Sequence, residues 1–317
     1  MVEKGTDMKL LKIIMAVLLV TVMTACNGRE AVNIEELRIE YSPMTGSDEI
    51  FSMTLDLGMA IKRAMAEKGV NIEKVTVTVA ASFDDAALAL IENRSDIAWL
   101  SAVTYCQYSD KLEVLAAGTK KDISTEKLTE LNGDNPLSDK ATVAFRSLII
   151  TSNNDLRRKA ENGEKIEWKD LENLTWAITD SRYSIDSFMP LALWLKDDFG
   201  KNMRDIKYIR VPAAGRIGTI QNGEADITVI RVSEAANMEE WGKGWGVIGL
   251  TKEFANDPIC FSGSNEMLKN RRVRKALLEV LEELTEMYRY GYEGIAEVKE
   301  SQYRDMKKAL NIINELN

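Results

Sequence analysis

The sequence predicts an α/β fold of two lobes, each a mostly parallel sheet flanked by helices. Three observations carry this. β-Branched runs alternate with stretches of helical apolar spacing from residue 37 onward. One order of elements (strand, polar loop, helix, strand, helix, short strand) occurs twice. Asn93-Arg-Ser-Asp96, ahead of a short strand in the first half, is mirrored by Asn222-Gly-Glu-Ala-Asp226 in the second.

The elements follow in chain order. Lys9 and Lys12 precede an apolar run from Ile13 to Met23, which has the length of a signal peptide and is short for a membrane span. The run ends at Thr24-Ala25-Cys26, so residues 1–25 read as a signal peptide, starting at Met1 or at Met8. Residues 26–36 are polar and read as a tether. Leu37–Tyr41 alternates as a strand and enters the turn-rich loop Ser42–Ser47. Phe51–Lys68 has helical spacing and stops before Gly69. Val75–Val79 is a β-branched strand, Asp84–Glu92 a helix and Asp96–Leu100 a short buried strand. Ser101 is placed to cap a helix over Ala102–Tyr108, and Leu112–Ala117 is the next strand.

After a polar stretch at 119–140, Thr142–Thr151 reads as one long strand. A second set then follows: strand Leu174–Thr179, helix Ser187–Phe199, strand Ile206–Val211, helix Ala213–Asn222 and strand Ile227–Ile230. Trp245–Leu250 and Ile259–Ser262 lead back, and Glu266–Tyr290 and Glu293–Leu316 read as two long helices. The lobes accordingly comprise 37–145 with 246–317, and 146–245.

Composition narrows the chemistry. The 317 residues carry a formal net charge of -9, which argues against nucleic acid as a partner. The basic run Lys269–Lys275 reads as a solvated helix face. There is no histidine, which removes Ser-His-Asp and Cys-His catalysis and the commonest transition-metal ligand. Cys26, Cys106 and Cys260 have no metal-binding spacing, and a Cys106–Cys260 disulfide stays open. The paired carboxylates Asp84-Asp85, Glu239-Glu240 and Glu282-Glu283 stand with no nucleophile or base, so no catalysis, cofactor or metal is expected.

Several segments together resemble the phosphonate/phosphite/phosphate-type family of ABC-transporter substrate-binding proteins. They are Ile39–Pro43, Ile91–Tyr105, Phe145–Ile150, Trp176–Asp180 with Pro190, and Asn222–Asp226. The resemblance implies a type II periplasmic-binding-protein-like clamp with a ligand cleft between its lobes. Ala25-Cys26 resembles a bacterial lipobox, with Met23 where leucine is usual, and implies lipidation of Cys26.

The expected protein is therefore an extracytoplasmic solute-binding lipoprotein of an ABC importer. It would be a monomer, held at the outer face of a bacterial membrane and delivering a small polar ligand to a permease. The alternative is a ligand sensor partnered with a sensor kinase. The ligand residues implied are Tyr41, Ser42, Ser101, Thr104, Tyr105, Ser181, Tyr183, Ser184, Asp186, Ser187 and Arg231. Ser101 and Thr104 serve equally well as plain helix caps.

The second-lobe motif departs from the family. Where the family reads Asp-Pro-x-Ser-Thr-Ser-Gly-x-x-x-Pro, this chain reads Asp180 to Pro190 with Ser184 the one retained hydroxyl and Asp186 at the glycine place. Ala213 stands where many members carry histidine, and Arg231 where aminophosphonate binders hold an acid. A carboxylate beside an ionised phosphonate is repulsive. Asp186 and Arg231 would together suit an amine-and-acid ligand if both face the cleft, or could instead pair with each other or point to solvent.

Overall fold

The computed structural model describes residues 31–44, 47–133, 136–236, 241–284 and 290–316. The signal-peptide and Cys26 expectations lie outside them. A first sheet begins with β1 (Val32–Tyr41), β2 (Val70–Val79), β3 (Ile97–Trp99), β4 (Leu112–Ile123) and β5 (Leu137–Thr142). The two-residue β6 (Ala144–Phe145) crosses to a second sheet made of β7 (Ser147–Thr151), β8 (Thr175–Thr179), β9 (Lys207–Val211), β10 (Ile227–Arg231) and β11 (Gly246–Leu250). β12 (Phe254–Ala255) crosses back antiparallel to β6, and β13 (Pro258–Ser262) and β14 (Gly294–Glu297) complete the first sheet. Strand order is β14-β4-β13-β3-β1-β2, with β5 beside β4, in the first sheet and β11-β7-β10-β8-β9 in the second. β1 pairs in parallel with β2 and β3, and β8 with β9 and β10; the return strands β13, β14 and β7 run antiparallel to their neighbours.

The internal repeat has a physical basis. Asn93 and Gly223 both adopt positive φ, 56° and 75°, ending their helices three residues before an aspartate. Each aspartate then accepts from a backbone N–H of the neighbouring strand: Asp96 Oδ2 from Arg38 and Asp226 Oδ2 from Thr175, both at 2.8 Å. The side chain thus satisfies a donor at the start of a parallel pair, where the ladder cannot.

Several expected boundaries shift. β1 starts at Val32, pairing with Val70, so Val32–Glu36 is sheet rather than tether. The Phe51–Lys68 helix is two, Ser47–Thr54 and Leu57–Glu67. The single strand Thr142–Thr151 is interrupted at Val143 and Arg146; Arg146 donates to Asp122 and Glu126. β11 pairs with β7, so the second unit runs through Leu250 rather than ending at residue 245. The helix expected from Glu266 divides at Asn270, whose side chain accepts from Arg272 N and caps a helix over Arg271–Glu283. The helix expected from Glu293 begins instead as β14 on the edge of β4, with a helix only over Arg304–Asn314. At Asn270 and at β14, capping and edge pairing outweigh local helical spacing.

The core is continuous across the crossing. The terminal helix Arg304–Asn314 packs on Ala102–Tyr108 from the first unit and on Phe188–Phe199 from the second. One cluster of buried side chains includes Tyr105, Leu191 and Leu310. Trp241 and Trp245 form a T-shaped pair at 5.2 Å in the second unit, and Trp245 is buried. Trp99 is likewise core. Among the described residues, no helix is long and apolar enough to cross a membrane.

Candidate ligand-binding cleft

A cleft of about 790 Å³ opens where the carboxyl ends of β3 and β8 approach each other. That is where a parallel α/β sheet leaves strand tips and helix starts uncovered. One wall comes from the first unit. After β3 the chain turns at Ser101, whose Oγ accepts from Thr104 N at 3.1 Å and lies 2.7 Å from Thr104 Oγ1. Ala102 N, the next free donor of this helix, donates to Asp257 Oδ1 at 2.8 Å. Asp257 comes from the return crossing, and its other oxygen accepts from Tyr292 OH at 2.7 Å. A helix start of the kind that attracts anions is thereby occupied by the protein's own carboxylate.

The opposite wall is the loop after β8. Ser184 N donates to Ser181 O, and Tyr183 OH accepts from Arg182 Nη2, whose guanidinium also lies over the Tyr183 ring. Asp186 is held by the Ser184 hydroxyl and by Arg216 Nη2, the latter at 2.9 Å. Arg216 is fully buried. It also donates to both oxygens of Glu234 and to the carbonyls of Val229 and Ala213. Burial works against the charged form of Asp186, but Arg216, Ser184 and the more distant Arg231 outweigh it and hold its pKa below the ordinary value. Thr179, at the tip of β8, lines the cleft at 6% exposure, and its Oγ1 has no hydrogen-bond partner among the described residues.

Six of the expected residues share this cleft: Ser101, Thr104, Ser181, Tyr183, Ser184 and Asp186. Five do not line it. Tyr41 and Ser42 end β1 as expected, but Tyr290 covers them: its ring meets Tyr41 edge-on at 5.4 Å and its hydroxyl donates to Ser42 O. Tyr105 points into the core, edge-on to Tyr303 at 4.7 Å. Ser187 is buried, its Oγ accepting from Thr179 N. Arg231 donates to Asn256 at the crossing and stacks over Phe145, 3.5 Å from the ring centre. The residue paired with Asp186 is Arg216, which motif spacing gave no reason to choose. Cys106 and Cys260 are buried free thiols, and burial pushes Cys106 up to about 12.

Met44, Phe83, Thr179 and Asp257 also line the cleft and were not singled out from the sequence, and Asp84, which read there only as half of a carboxylate pair, lines it too. Thr179 was legible in principle as the last residue of a strand before a matched loop. Asp257 carried no local signal, because its role depends on the crossing. Tyr292, which orients Asp257, lies flat on Gly118; a Cβ there would stand 2.3 Å from its ring. Gly118→Ala is therefore expected to cost about 1–3 kcal/mol by overpacking. Since 1 kcal/mol moves the melting temperature of such a protein by about 2 °C, a value within about 1 °C of the parent would contradict this contact.

Across residues 40–303 the sequence matches the profile of the ABC transporter phosphonate periplasmic substrate-binding proteins. The chain belongs to this family. A family of transporter substrate-binding proteins implies a small-molecule ligand, a membrane permease as partner and a place on the extracytoplasmic side. It is not a family of enzymes. No curated protein matches this family member by sequence. Solved structures share its fold. Mh-p37 of Mycoplasma hyorhinis has a TM-score of 0.61 at 12% identity, over 89% of this chain and 100% of that one. XAC2383 from Xanthomonas citri, bound to ATP, has 0.54 at 12%, over 89% and 98%. PhnD1 from Prochlorococcus marinus, in complex with methylphosphonate, has 0.50 at 13%, over 89% and 99%. At such identities the likeness concerns the fold alone.

Proposed function

We propose that this phosphonate-type binding protein is a lipid-anchored solute receptor of an ABC importer, taking a small polar ligand between its two units. The observation that carries the reading is the cleft walled by both sheets, with Ser101 and Thr104 on one side and Ser181, Ser184 and Asp186 on the other. A ligand bridging those walls favours whichever arrangement of the units it contacts best, and closure follows from that difference in affinity. Docking on the permease then reads out the closed form.

The test is a thermal-shift screen of phosphonates, phosphite, sulfonates, amino acids and amines. A true ligand at a hundredfold excess over its Kd adds about 2.7 kcal/mol. No response to any solute would remove the receptor reading.

The anchor rests on Ala25-Cys26 after the apolar run. Two acyl chains hold a protein at a membrane where one does so marginally. Cys26→Ser is expected to move the protein from the membrane fraction to the soluble fraction of expressing cells and to abolish labelling by a palmitate analogue. Unchanged labelling would remove the anchor.

A further inference from the structure

We propose that the ligand of this cleft is an organic cation with an apolar body, not a phosphonate dianion. The inference rests on the receptor reading above and names its ligand class. The titratable side chains lining the cleft include Asp84, Asp186 and Asp257, and no lysine or arginine is among the described lining residues. Both places that would hold an oxyanion are occupied from within. Asp257 takes the Ala102 N–H at the start of the first-unit helix. Asp186 stands in the second-unit loop, and its guanidinium partner Arg216 is fully engaged behind it. Of the other nearby cations, Arg182 donates to Tyr183 OH and lies over its ring, Arg231 is bonded to Asn256, and Lys120 lies over Tyr292, 5.1 Å from the ring centre.

An entering dianion would meet fixed carboxylates on both walls with no cation among the described lining residues to offset them. Repulsion of that kind grows as the cleft closes and water leaves. An ammonium group meets the opposite field. The remaining lining suits an apolar body, with Met44, Phe83, Val103, Ile185 and Tyr183 around it. Phe83 supplies an aromatic side chain of the kind that favours cations, whereas the Tyr183 ring is already covered by Arg182.

One further group points to a ligand. Thr179 Oγ1 is buried at the cleft wall without a partner among the described residues. A buried hydroxyl left unsatisfied is costly, and a polar atom of a bound ligand would satisfy it.

The experiment titrates the full-length protein in detergent with choline, 2-phenylethylamine, methylphosphonate and phosphite, by thermal shift and calorimetry. At least one of the two cations is expected to bind, and neither anion. Asp84→Asn is expected to weaken the cation about fivefold, the worth of one solvated charge pair at ~4 Å. Thr179→Val should weaken it as well, without lowering the melting temperature of the free protein. Binding of methylphosphonate or phosphite with no binding of either cation overturns the inference and leaves the receptor reading standing. Silence from all four also overturns it, while a response elsewhere in the wider solute screen would keep the receptor reading. A cation that binds Asp84→Asn and Thr179→Val as tightly as the parent is bound outside this cleft, and overturns it too.

Discussion

Arg216→Met is expected to destabilise the protein by about 3 kcal/mol, because breaking a buried pair leaves its charges uncompensated. The guanidinium is fully buried and joins Asp186, Glu234 and two carbonyls. Methionine fills much of the volume, so the loss reports the charges rather than a cavity. Asp186 and Glu234 keep partial contact with water, which holds the cost toward the low end of the range for buried pairs. Arg216→Lys should recover only part of it, since an ammonium cannot reproduce the planar fork.

The same pair predicts a pH dependence. The Asp186 pKa is depressed in the folded state. Its contribution is therefore complete above the unfolded carboxylate value of about 3.9 and is lost as pH falls through the lower folded value. Between neutrality and that range the parent and Arg216→Met should differ by a constant amount in denaturant melts, and the gap should narrow in stronger acid. A gap that widens on acidification, or a variant as stable as the parent at pH 7, would contradict the assignment.

Asn256→Ala is expected to cost about 2–4 kcal/mol, each buried polar group left unpaired contributing on the order of 1–3 kcal/mol. Asn256 is fully buried where the chain crosses back. Its amide donates to the carbonyls of Gly118 and Thr142, at 2.8 Å and 3.2 Å, and its oxygen accepts from Arg231 at 2.9 Å. One side chain thus ties β4, the end of β5 and the end of β10 together. Its backbone bonds, N to Val143 O and O from Tyr303 OH, survive truncation, so the crossing should remain formed. The expected signature is a lower melting temperature with faster amide exchange confined to β6, β12 and their neighbours. Exchange unchanged there, with the loss spread over both sheets, would show that Asn256 acts through general packing instead.

Much of the scaffold is legible in the sequence. The strands over Leu37–Tyr41, Asp96–Leu100 and Leu174–Thr179 and the helices over Asp84–Glu92 and Ser187–Phe199 lie where apolar period and capping residues place them. Those signals are local, and local backbone preference follows them. The Ser101 cap and the paired turns at Asn93 and Gly223 were likewise readable. β14 and the start of β1 were not, since an edge strand is defined by its neighbour and a helical spacing can be overruled by it.

The site divides along the same line. By itself the sequence determined that the chain is built as two α/β units, that histidine chemistry is absent, and that Ser101 caps a helix at the end of a strand, while the family resemblance pointed to Ser184 and Asp186. Only the tertiary structure decided that Arg216 rather than Arg231 answers Asp186, that Tyr290 covers Tyr41 and Ser42, and that Asp257 closes the Ala102 helix start. The reason is physical. Strand ends and caps are set by interactions a few residues apart, whereas the partner of a charge depends on which distant segment folding brings within about 3 Å of it, a reach that hydrogen bonding sets and sequence spacing does not.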